Sequence, residues 1–131
     1  MNGAKILIID DDLAFCEMLS EILTSEGAEV VTKNDGESGV NYALENHPDI
    51  ILSDMMMPKM TGIAALEVLR KDDWGKTVPV ILLTNVNQPE AMAASVENGP
   101  PTEYLLKVDW TLDQIAEHVK KVLEKSKQSN G

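Results

Sequence analysis

The chain predicts an α/β fold, a doubly wound sheet of five parallel strands with helices on both faces. Three observations lead there. Short apolar runs recur along the chain, stretches of helical periodicity separate them, and several runs end in an acidic or hydroxyl residue. Right-handed crossovers then make the first and third strands neighbours that flank a switch point, where open sheets bind ligands. With 131 residues, 44% of them hydrophobic, the chain suits one domain able to bury roughly two thirds of its unfolded surface.

Lys5-Ile-Leu-Ile-Ile9 reads as a strand covered on both faces, ending in Asp10-Asp11-Asp12. Phe15, Leu19, Ile22 and Leu23 then recur at helical spacing, giving a helix over 13–26 opened by Asp12 and closed by Gly27. Ala28 to Thr32 is the second strand. Asn34-Asp35-Gly36 is a turn, and a helix over 37–46 ends before Pro48. Ile50-Ile51-Leu52 is the third strand, which delivers Asp54 to its end. Met55, Met56 and Met57 follow, then a loop framed by Pro58 and Gly62, with Thr61 as the cap of a helix over 62–71. The fourth strand spans Val78 to Thr84, with Pro79 near its start where a lost ladder bond is tolerated. Asn87-Gln-Pro-Glu90 opens a short, weakly apolar helix that reaches about 98, stopped by Gly99-Pro100-Pro101. Glu103 to Lys107 is the fifth strand. Thr111 and Gln114 form a capping box for an amphipathic last helix, with Leu112, Ile115, Ala116, Val119, Val122 and Leu123 inward. The domain is read as residues 4–125, with 126–131 a polar tail.

A net charge of −11 argues against nucleic acid and anionic membrane as direct partners. No stretch approaches the ~18 apolar residues of a membrane span. The single cysteine, Cys16, lies among the apolar positions of the first helix, as a packed thiol would, and suits a reducing compartment. A cytoplasmic location is expected. His47 and His118 lie away from the strand ends and read as solvated bystanders. Trp74 reads as an anchor for the loop before the fourth strand, and Trp110 as an exposed residue marking an interface.

An aspartate at a strand end is either a structural cap or a functional group, and the company of Asp54 favours the second. The predicted topology brings Asp10, Asp11 and Asp54 to one crevice, where they repel one another unless something positive joins them. A divalent metal and Lys107, at the end of the fifth strand, are the two candidates. Oxygen ligands select Mg²⁺ or Ca²⁺, and an incomplete cage of few carboxylates suits Mg²⁺. Thr84 adds a hydroxyl at the end of the fourth strand. Acid pair, carboxylate, hydroxyl and ammonium together make a set suited to receiving a phosphoryl group.

Lys5-Ile-Leu-Ile-Ile-Asp-Asp-Asp12, Asp54-Met-Met-Met-Pro-Lys-Met-Thr-Gly62, Leu83-Thr84 and Tyr104-Leu-Leu-Lys107 stand in the order of the receiver-domain motifs of bacterial two-component response regulators. The chain resembles that family over residues 4–124. The resemblance implies a flavodoxin-like, CheY-like sheet of order 2-1-3-4-5 and a signalling module rather than a classical enzyme, one that undergoes Mg²⁺-dependent self-phosphorylation and autodephosphorylation. It implies that Asp54 is the phosphoacceptor, that Asp11, Asp54 and the backbone carbonyl of Met56 hold Mg²⁺, and that Asp10 acts through water. Thr84 and Lys107 would bind phosphoryl oxygens. Tyr104 would be the switch aromatic, with plain packing beside the fifth strand as the other reading of that residue. A sensor histidine kinase is the implied donor. A stand-alone receiver would act on a downstream protein or pass the group to a histidine phosphotransfer protein, and a homodimer through the last two helices and fifth strand is a further expectation.

Two other classes are open to the same residues. A protein-binding module that keeps the fold without phosphorylation is one, although Asp54, Thr84 and Lys107 are all retained. An aspartyl-phosphate phosphatase is the other, and it wants Ser or Thr where Ala14 stands. Three positions depart from the receiver pattern. Val108 replaces the usual proline after the lysine, so a trans bond is expected there, because a non-proline cis bond costs ~2.5–4 kcal/mol. Asn85 stands where a small residue is usual, and the segment 88–101 is atypical. Apolar Met56 and Val86 beside the path of an attacking water imply a long-lived phosphoryl group.

Overall fold

The computed structural model describes residues 2–57, 59–84 and 103–129, with side-chain surroundings as far as Ser126. Five parallel strands, β1 (Lys5–Ile9), β2 (Glu29–Lys33), β3 (Ile50–Asp54), β4 (Val80–Thr84) and β5 (Glu103–Leu106), lie in the order β2-β1-β3-β4-β5. The described helices are α1 (Leu13–Ser25), α2 (Gly36–Asn46), α3 (Gly62–Lys71) and α4 (Leu112–Ser129), and a 3₁₀ turn covers Lys107–Asp109. The helix expected over 87–98 lies outside the described residues, as do Pro58, Asn85, Val86, Pro100 and Pro101.

The alternation of side chains along each strand divides the core in two. Ile6, Ile8, Ile50, Leu52, Ile81, Leu83 and Leu105 face one side and pack with Cys16, Leu19 and Leu23 of α1 and Ile115, Ala116 and Val119 of α4. Leu7, Ile9, Ile51, Val80 and Leu82 face the other, against Val40 and Ala43 of α2 and Ala65, Leu66 and Leu69 of α3. A sheet covered on both faces explains why its central strands read as unbroken apolar runs.

The helix starts follow from hydrogen bonding at their first turns. Asp12 accepts from the Phe15 N–H at 3.1 Å, Asp35 from Ser38 at 2.8 Å and Thr61 from Ala64 at 3.2 Å, so each supplies an acceptor to an otherwise orphaned donor. The capping box at α4 is reciprocal: the Gln114 N–H donates to Thr111 Oγ1 at 3.1 Å, and the Thr111 N–H to Gln114 Oε1 at 2.8 Å. Gly27 closes the first connection at φ 98°, a conformation that favours glycine.

Several boundaries move from their sequence-based positions. β2 runs one residue later, over 29–33, since an edge strand of mixed exposure carries a weaker apolar signal than a central one. β4 begins at Val80, because Pro79 has no N–H to donate, although its carbonyl still accepts from Ile51 at 3.0 Å. Lys107 falls past β5, in the 3₁₀ turn, and the Lys107–Val108 peptide is trans as expected.

His47 is exposed as expected but has a ring partner, and His118 is partly buried and so departs from the solvated role expected of it. His47 ends α2 in the left-handed region and stacks on Trp74, with ring centroids 4.6 Å apart. His118 Nε2 meets the Glu103 carboxylate, and its ring lies edge-on to Trp110 at 5.3 Å. Trp74 packs against the α2–α3 half of the core as expected, whereas Trp110 is partly buried against the other half rather than exposed.

Candidate functional site

Strand register brings the polar residues together. Ile9 pairs with Ser53, so the next residues, Asp10 and Asp54, emerge side by side. Asp54 pairs with Leu83 and Thr84 with Leu106, which carries Thr84 and Lys107 to the same edge. One carboxylate oxygen from each of Asp10, Asp11 and Asp54 lies within 4.8 Å of the others. Asp10, Asp54 and Thr84 are buried, while Asp11 is exposed at the mouth.

Lys107 Nζ donates to Asp10 Oδ2 at 2.6 Å and stands 3.8 Å from Asp54 Oδ1. The other Asp10 oxygen accepts from the Asp12 N–H at 2.9 Å. Both oxygens of the carboxylate expected to act through water are thus engaged within the protein. Asp54 Oδ1 accepts from the Met55 N–H at 2.9 Å. Burial pushes the Asp54 carboxyl from 3.8 up to about 6, and the charge of Asp10 adds to the push; Lys107 and the Met55 N–H oppose it. Three carboxylates drawn together, two of them beside a single ammonium, offer oxygen ligands that fit a hard divalent cation.

Beneath this layer, the Cys16 Sγ–H meets the Asp10 carbonyl at 3.4 Å. Burial, helped by Asp10, holds that thiol up at about 11, so it is a packed group and not a nucleophile. Met55 and Met57 turn into the core, leaving Met56 exposed. Tyr104 packs against the α2–α3 half of the core with its hydroxyl buried and unbonded among the described residues. Gly62 is required for space and not for conformation. A Cβ there would stand 2.4 Å from the Asp54 carbonyl oxygen, since the Gly62 N–H closes the loop on the Met55 carbonyl at 2.9 Å.

Two contributors escape a reading by motif. Asn34 Nδ2 donates to the Asp10 carbonyl at 3.1 Å, and the Phe15 ring lies under the Lys107 ammonium, 4.5 Å from nitrogen to centroid. In the sequence Asn34 is only a turn residue and Phe15 only an apolar position. The one hint is the Asp12 cap, which sets Phe15 on the first turn of α1 beside the acidic run.

Residues 6–123 match the family model described as "Response regulator receiver domain". The DNA-binding response regulator MtrA of Mycobacterium tuberculosis is 34% identical over 103 residues, covering 79% of this chain and 43% of that protein. The DNA-binding dual master transcriptional regulator RpaA of Synechocystis is 31% identical over 122 residues, covering 93% and 50%. The chain therefore spans about half the length of the curated relatives it matches. Among solved structures, chemotaxis response regulator CheY4 of Vibrio cholerae superposes with a TM-score of 0.82 at 29% identity, covering 92% of this chain and 99% of that one. A CheY-like receiver domain protein from Methanospirillum hungatei reaches 0.86 at 25% identity, covering 98% and 99%. The fold, the strand order and the family model agree, and the chain belongs to the response regulator receiver domain family.

Proposed function

We propose that this receiver, over residues 4–125 with a polar tail at 126–131, accepts a phosphoryl group on Asp54 from the phosphohistidine of a sensor histidine kinase. The observation that carries the reading is the placement of Asp54: a buried carboxylate beside Asp10 and Asp11, 3.8 Å from the Lys107 ammonium. An Asp54 oxygen attacks phosphorus and the P–N bond breaks. The electron pair leaves with the imidazole, which then takes up a proton from solvent. Lys107 neutralises charge gathering on the phosphoryl oxygens, and Thr84 offers its hydroxyl to the same oxygens. Asp11, Asp54 and the Met56 carbonyl would hold Mg²⁺, with Asp10 acting through water. When bound, the ion supplies charge neutralisation for an attack that brings two anions together.

The signal leaves by a changed protein-binding face, with Tyr104 as its switch, or by transfer to a histidine phosphotransfer protein. A homodimer through β5, α4 and the helix expected over 87–98 is part of the same proposal. The DNA binding in the names of the curated relatives belongs to those proteins. A net charge of −11 repels a phosphate backbone, and we place no nucleic-acid contact on this unit. A cytoplasmic setting suits its one buried thiol.

Intact mass after incubation with acetyl phosphate and Mg²⁺ tests the proposal. The expected result is a gain of one phosphoryl group, absent from Asp54→Asn and absent when the metal is chelated. No gain in the wild type overturns it in favour of a binding module of receiver fold.

A further inference from the structure

Lys107 must meet two demands. Its ammonium has to stay at the crevice before a phosphoryl group arrives, and it has to remain free to turn to new oxygens afterwards. The side chain is only 12% exposed, so water supplies little of its solvation. One side of the ammonium is taken by Asp10 at 2.6 Å, and Asp54 at 3.8 Å is within ion-pair reach but beyond a hydrogen bond. The Phe15 ring occupies another side, 4.5 Å from nitrogen to centroid.

A ring face attracts a cation through its quadrupole without claiming a particular N–H. It adds no negative charge to a crevice already holding three carboxylates, and it lets the ammonium swing while contact is kept. An aliphatic side chain would fill the space and leave that side of the charge without a partner. The placement is built in locally. Asp12 accepts the Phe15 N–H at 3.1 Å, so the same cap that starts α1 sets the ring on its first turn, and the neighbouring Cys16 is locked into the core.

From this arrangement we propose that Phe15 is a positioning residue for phosphoryl transfer, holding the Lys107 ammonium over its ring between Asp10 and Asp54. The role rests on Asp54 being the phosphoacceptor.

The test is the rate of phosphorylation of the full chain by acetyl phosphate at saturating Mg²⁺, in Phe15→Leu, Phe15→Met and Phe15→Tyr. Leucine and methionine keep the site apolar but remove the ring; tyrosine keeps the ring. The maximal rate is expected to fall about tenfold in the leucine and methionine variants, with half-saturating acetyl phosphate unchanged, and to stay within about twofold of wild type with tyrosine. Proton NMR of the unphosphorylated proteins gives a reading independent of turnover. The Lys107 ε-methylene signals should be shifted by the ring current in the wild type and in Phe15→Tyr, and not in the other two. If Phe15→Leu does not fold, Phe15→Met, closer in volume, carries the comparison. Wild-type rates in Leu and Met, or an equal loss in Tyr, overturn the role of Phe15 alone. A wild type that takes up no phosphoryl group overturns the assignment of Asp54, and this role falls with it.

Discussion

Asp54 is held in its charged form against the preference of its surroundings. With its carboxyl raised from 3.8 to about 6, the folded protein binds the proton more tightly than the unfolded chain does. The contribution of Asp54 to stability is therefore fully present below pH 4, is lost as pH rises through 4–6, and stays absent above. The loss is at most ~3 kcal/mol. In the presence of a chelator, Asp54→Asn should melt at a higher temperature than the wild type at pH 7.5, and the gap should shrink towards pH 4. Thermal unfolding at the two pH values checks it, and an equal gap at both would refute burial as the cause. The residue proposed to accept the phosphoryl group is thus one that weakens the metal-free fold.

At the scale of elements, the loop from β3 to α3 is where backbone fit is tightest. Gly62→Ala would drive a Cβ to 2.4 Å from the Asp54 carbonyl oxygen and 3.0 Å from Met55 Cα, and neither is a flexible side-chain end. A loss of ~2 kcal/mol or more is expected, against ~1 kcal/mol for removing the cap in Thr61→Ala. Urea unfolding of the two variants decides whether the order holds. The same loop shows what a sequence discloses. Thr61 and Asp12 are legible as caps because capping depends on residues three apart. The strands are legible because two-sided burial writes an unbroken apolar run, as in Lys5–Ile9. Gly62 is visible as a turn residue, yet its reason, a carbonyl pressed against its Cα, appears only once the chain is folded. Phe15 over Lys107, His118 against Glu103 and His47 on Trp74 join residues that no periodicity relates, so none of these contacts is legible in the sequence.

For the molecule as a whole, the site is the seam where both halves of the core end. Cys16 belongs to the α1–α4 half, yet its sulfur rests on the carbonyl of Asp10, directly beneath the carboxylates. Its side chain is sealed and its thiol held near 11, so a thiol reagent can reach it only when α1 lifts from the sheet. The protein therefore carries its own stopwatch: alkylation of Cys16 counts openings of the floor under the acidic crevice. Mg²⁺ bound above should lengthen the interval between openings in the wild type and leave it unchanged in Asp11→Ala, since a ligand of the closed form stabilises only what it binds. Labelling followed by mass spectrometry reads the interval, and equal slowing in both proteins would show that the ion acts elsewhere.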